Sequence, residues 1–192
     1  SGPTAESQIG QTFGKSWITG NALLSFEYYE RDGLPASARA QSAVSDLTPF
    51  GGDNFDIPAG NPGTIIDANG TWAIPRGQNG QSLRPEDFVP GTANLHNRNE
   101  GRDLLANQER KSVLGTMRHE FSDRWEIFAD ALYSERDSLS RTPMPIQPLV
   151  VPSSHPFHVN PSGTDDPVTV LYGFGADFGP EVDTAHVTTM NV

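Results

Sequence analysis

The chain has 192 residues with 24 acidic and 13 basic side chains, a formal net charge of −11, and no cysteine. The acidic balance and the lack of clustered Lys and Arg argue against nucleic acid as a partner, and the lack of cysteine excludes disulfides and thiolate metal sites. Gly (19) and Pro (16) are abundant, only 35% of residues are apolar, and no stretch approaches the ~20 apolar residues of a membrane-spanning helix.

Such a composition suits strands joined by large turn-rich segments better than a helical enzyme. A barrel that crosses a membrane with strands stays open, because each strand needs only ~9–11 residues and alternate ones suffice to be apolar. The opening SGPTAESQIG has neither the basic start nor the apolar core of a signal peptide.

In chain order, the first strand pair is expected over about 8–32. Ile9, Gln11, Phe13, Lys15 and Trp17 share one face, and Thr19, Gly20 and Asn21 supply residues that tolerate positive φ in a tight turn. On the return, Leu24, Phe26 and Tyr28 alternate with Ser25, Glu27, Tyr29 and Arg31. A long irregular segment, about 33–109, follows. Its best helical stretch, Leu104 to Arg110, is two turns at most.

The second pair is expected over about 110–138. Val113, Gly115, Met117, His119 and Phe121 alternate with Leu114, Thr116, Arg118 and Glu120. Ser122, Asp123 and Arg124 form a short turn. Trp125, Ile127, Ala129, Ala131 and Tyr133 then alternate with Glu126, Phe128, Asp130, Leu132 and Ser134. A second irregular segment, about 139–166, leads to a last strand region over about 168–192, which is either two membrane-spanning strands or a hairpin protruding outside the membrane. The strand near His186 to Val192 runs to the end of the sequence without turn or polar tail, which points to truncation, since an unpaired edge is a liability.

Loops longer than about 12–15 residues are uncommon in compact domains. Short turns at one end of both hairpins and very long segments at the other form the pattern of an outer-membrane barrel. The fold expected is therefore all-β: an antiparallel meander that is a partial segment of a large transmembrane β-barrel with long extracellular loops. A soluble β-sandwich also has one apolar and one polar face. The alternative is thus a secreted β-rich module that binds carbohydrate or another ligand.

Several phrases together resemble the TonB-dependent receptors of Gram-negative outer membranes. LLSFEYYERDGLPAS looks like an early barrel strand entering its outer loop, and GGDNFDIPAGNPGTI and WAIPRGQNGQSL look like stretches of that loop. LLANQERKSVLGTMRHEFSDRWEIFADALYSERDS is similar to the family's strand–turn–strand unit. VVPSSHPFHVNP and VLYGFGADFGP are similar to the loop and strand that follow. The resemblance implies a 22-stranded barrel closed by a plug domain and energised by the TonB protein. This chain would supply about five or six strands soon after the plug, which itself is absent along with the TonB-contacting part. It implies uptake of a scarce small-molecule nutrient, such as a siderophore or saccharide, at the outer membrane, with membrane lipid as a second partner and TonB engaged through the missing N-terminal part.

Candidate sites are sparse. Glu27, Arg31, Arg118, Glu120, Glu126 and Asp130 share the presumed inner face, where water or a plug requires polarity. Trp17, Trp125, Tyr28 and Tyr133 read as girdle residues at the membrane boundary. Among the outer-loop aromatics, Trp72, Phe88 and Phe157 are the candidates for stacking on a ligand; packing of the loops on themselves is the plainer reading. Asp53, Asn54 and Asp56 lack EF-hand spacing. The five histidines show no metal-ligand spacing, there is no G-x-S-x-G nucleophile elbow, and no pattern asks for a cofactor. No enzymatic activity is expected.

Overall fold

The computed structural model describes residues 4–192. It is all-β and antiparallel, and its sheets do not close into a barrel. The chain divides into two compact units. The first comprises the chain up to Pro35, Asp103–Arg141 and Val182–Val192; the second comprises Ala36–Arg102 and Thr142–Glu181.

The first unit is built on one five-stranded sheet. Its strands are β1 (Glu6–Trp17), β2 (Gly20–Arg31), β7 (Asn107–Ser122), β8 (Trp125–Thr142) and β11 (Glu181–Asn191), adjacent in that order. Period-two alternation is what makes these segments strands, and the register preserves it across the sheet. Phe13 lies opposite Leu24, Leu24 opposite Gly115, and Gly115 opposite Ala131. One face therefore collects Phe13, Trp17, Leu24, Phe26, Val113, Met117, Trp125, Ile127 and Tyr133. The other collects Glu27, Arg31, Arg118, Glu120, Glu126 and Asp130, the set expected on the inner face. Two strands, β3 (Leu34–Pro35) and β6 (Asp103–Leu105), form a small separate ladder. The segment from Leu104 to Arg110, the best helical candidate in the sequence, is thus extended: it is taken up by β6 and the start of β7, whose ladders leave no backbone group for a helix.

The β1–β2 turn consists of Ile18 and Thr19, with Trp17 paired to Gly20, one residue earlier than Thr19-Gly20-Asn21 suggests. None of those three has a positive φ. The β7–β8 turn falls at Asp123 and Arg124, as expected.

The second unit corrects the picture of two irregular loops. Its four-stranded sheet runs β5 (Gly70–Ala73), β4 (Thr64–Asp67), β10 (Val168–Gly173), β9 (Ile146–Val151). The first two strands come from the first excursion and the last two from the second. They are joined where Ile66, Ile65 and Thr64 pair with Thr169, Val170 and Leu171. Val168–Gly173, read from the sequence as part of the last barrel strand region, therefore belongs to this sheet. Ile65, Trp72, Phe88 and Val168 are buried together, with Ile74, Leu83, Val151, Val159 and Val170 packed around them. Burying such side chains contributes about 1.5–3 kcal/mol each, so this unit holds a hydrophobic core of its own.

Turn chemistry explains why so Gly-, Pro- and Asn-rich a stretch is ordered. The carboxylate of Asp46 accepts from the hydroxyl and N–H of Thr48, Asn54 Oδ1 accepts from the N–H of Asp56, and Asn160 Oδ1 from the N–H of Ser162. Buried Asn94 donates through Nδ2 to the carbonyls of Gly63 (3.0 Å) and Ile74 (2.8 Å), while its N–H donates to Thr64 Oγ1. Gly101, at φ +76°, passes so close to Pro180 that a Cβ would lie 2.9 Å from the Pro180 Cβ; here only glycine fits.

Candidate functional site

The sheet of the first unit has an apolar face whose large side chains are exposed among the described residues. Trp125 is 74% exposed and Phe13 58%, and every residue of β1 is exposed. Soluble proteins rarely leave a contiguous apolar surface of this kind. Aromatic residues bound it at both ends. Near the turns lie Trp17, Phe121 and Trp125; toward the far end, Tyr28 and Tyr133 donate their hydroxyls to Glu30 (3.2 Å) and Glu135 (3.1 Å). From Trp125 to Tyr133 is nine residues, within the ~9–11 of a tilted membrane-crossing strand.

The opposite face is organised by charge. Arg110 donates to Glu27, which also accepts from Gln8 Nε2 (2.8 Å), and the Arg110 guanidinium lies 5.3 Å from the Tyr29 ring centre. Arg118 pairs with Glu126. Thr12 and Ser25 hydrogen-bond across β1 and β2 at 2.8 Å. Phe128, Leu114 and Leu132 interrupt this polarity, so the face is mixed, as the sequence indicates.

In the second unit, the three aromatics named from the sequence part company. Trp72 (5% exposed) and Phe88 (7%) lie in the core with their rings packed against protein, whereas Phe157 (52%) presents its ring to solvent. The unit carries a concavity of about 340 Å³ lined by Gln41, Val44, Leu47, Phe55, Arg98 and Arg102, among others. That volume lies within the range of small-molecule pockets. Composition gave no sign of it, because its residues come from separated turns. Ser45, at its base, donates to Asp56 and accepts from the N–H of Arg98, which fixes the wall. Asp53, Asn54 and Asp56 are engaged in turns. The Asp53 carbonyl accepts from Leu47, and Asn54 bridges to Asp46.

Two titrating groups of this unit are displaced. The Thr48 hydroxyl and N–H hold the Asp46 carboxyl below the usual range. Burial, and then the hydrogen bond to Asp177 (2.7 Å), raise the Tyr172 phenol.

The histidines are scattered. His119 accepts from the Trp17 indole, His155 Nδ1 from the Phe157 N–H, and His158 Nε2 lies 3.0 Å from the Asp166 carbonyl. One grouping escaped the sequence reading. His186 on β11 lies beside Glu135 and Asp137 on β8, a juxtaposition that only strand pairing creates.

No protein-family model matches this chain, and neither does any curated protein or solved structure.

Proposed function

We propose that this chain is a segment of an outer-membrane importer of the TonB-dependent receptor type, in which the five-stranded sheet is part of the barrel wall and the second unit lies outside the membrane. The observation that carries this reading is the uncovered apolar face, bounded by aromatics and backed by a charged face. Lipid is the environment in which such a face is stable, and a polar interior suits its reverse side. The connections support it too: two-residue turns at one end of the sheet, and whole excursions that fold into a separate unit at the other.

The secreted binding module remains the competing reading. It requires the apolar face to pack on another layer, and among the described residues Phe13, Phe26, Ile127 and Trp125 remain exposed. In the importer reading, the second unit meets the ligand first. Its concavity counts Arg98, Arg102 and Phe55 among its lining residues, a combination suited to a small anionic molecule with an apolar body. Transport itself belongs to the whole receptor, with the plug and TonB as partners, and the sheet described here needs no catalytic group.

The chain's lack of cysteine makes the test clean. Single cysteines at Ile127 and Phe128, spin-labelled in outer-membrane vesicles, should report oxygen access at the first and access to a water-soluble relaxation agent at the second. Equal access to the water-soluble agent at both positions would sink the membrane reading and favour the soluble module.

A further inference from the structure

We propose that Glu135, Asp137 and His186 bind a divalent transition-metal ion that ties β8 to β11 where these strands meet the second excursion. The inference rests on the geometry of the sheet alone and stands whether or not the importer reading does.

The donor set is one imidazole nitrogen and two carboxylates, each offering a ligand atom, and all three atoms lie within 4.8 Å of one another. His186 Nδ1 is 2.6 Å from Asp137 Oδ1 and 4.0 Å from Glu135 Oε1. A tetrahedral ion with bonds of 2.0–2.2 Å holds its donors about 3.4 Å apart. The observed spacings bracket that value, so small side-chain rotations would complete the set.

The donors are also oriented from behind. Tyr133 donates its hydroxyl to Glu135 Oε2, leaving Oε1 turned to His186. The other ring nitrogen of His186 lies 3.2 Å from Thr188 Oγ1. Metal-binding histidines and carboxylates are commonly fixed by such outer partners.

A separate feature of the ladder calls for positive charge. Glu30 lies opposite Glu109, and Glu109 opposite Asp137, on three neighbouring strands. Like charges directly opposite destabilise a sheet. Lys111 lies 2.6 Å from Glu109, and a dication on Asp137 would offset the remainder of the row. Imidazole with carboxylate suits zinc and its neighbours, whereas calcium and magnesium prefer oxygen ligands alone. With His186 58% exposed on its side chain, water completes the coordination.

The test is zinc titration of the metal-stripped chain in detergent by calorimetry, with cobalt as a spectroscopic probe. One zinc ion bound through this site is expected, with a rise in melting temperature. H186A and D137N should each weaken it by on the order of 100-fold, by analogy with the losses that follow even from removing outer partners. H155A should bind as the wild type does, and an equal concentration of calcium should not displace zinc. Cobalt should give visible d–d absorption that H186A removes. The proposal is overturned if H186A, shown to be folded by circular dichroism, retains wild-type zinc affinity. It is equally overturned if calcium displaces zinc, or if H155A abolishes binding as H186A does.

Discussion

Trp17 on β1 donates its indole N–H to His119 Nδ1 on β7, 3.0 Å away, across the intervening strand β2. The residue between them is Gly20, paired to both. A Cβ at Gly20 would press on the Arg118 carbonyl and sit 3.0 Å from the indole ring. The missing side chain is what lets the two rings meet over the turn.

Gly20→Val should therefore break this contact and destabilise the β1–β2 hairpin by about 1–3 kcal/mol, the usual cost of overpacking. Trp17 emission would shift and the melting temperature in detergent would fall. Unchanged emission and melting would mean that the indole–imidazole bond contributes nothing.

The core of the second unit should respond sharply to truncation. Trp72→Ala should cost about 3–5 kcal/mol in denaturant unfolding. Asn94→Ala, which leaves the carbonyls of Gly63 and Ile74 without their donor, should cost about 1–3 kcal/mol. Phe157→Ala, with its ring exposed, should stay within about 0.5 kcal/mol of wild type. A Phe157 effect as large as that of Trp72 would contradict the burial pattern.

Arginine at Ala129, midway along the apolar band, should destabilise the membrane-inserted protein by about 2–4 kcal/mol. Arginine at Leu132, on the opposite face, should be tolerated. Similar losses at both sites would show that the two faces do not meet different media.

Tyr172 gives a pH prediction. Its folded-state pKa is raised above the ordinary 10.0, first by burial and then by Asp177. The neutral phenol is thus the form that the fold favours. Its contribution to stability is complete below the unfolded pKa and is lost as pH rises through the folded value. Ultraviolet titration of the phenolates, compared between the wild type and Tyr172→Phe, should assign a late ionisation to Tyr172. Asp177→Asn should bring that transition down by removing the neighbouring charge, though not fully, because burial persists.

Long alternating strands were legible in the sequence. In β7 and β8 the alternation runs for more than a dozen residues and keeps one face apolar, although Leu114, Phe128 and Leu132 make the other face mixed. The second sheet was not legible. Thr64–Asp67 and Gly70–Ala73 are four residues each, too short to display a period, and they lie in a stretch whose composition reads as turns. Asn94, which pins that sheet, looks like any loop asparagine until its partners at Gly63 and Ile74 are known. Trp72 and Phe88 could be recognised as aromatic but not as buried, since burial depends on chain brought in from residues 142–181. For the same reason His186 gave no sign of Glu135 and Asp137, some fifty positions earlier.

The join between Thr64–Ile66 and Thr169–Leu171 limits how this chain can diversify. Each excursion supplies half of one sheet, so a new sequence in one must still present a matching strand to the other. Transplanting residues 36–102 alone into another scaffold would leave β4 without β10 and expose Ile65 to water. A graft that keeps its binding properties must carry both segments, and lineages that acquire new ligands should change them in concert.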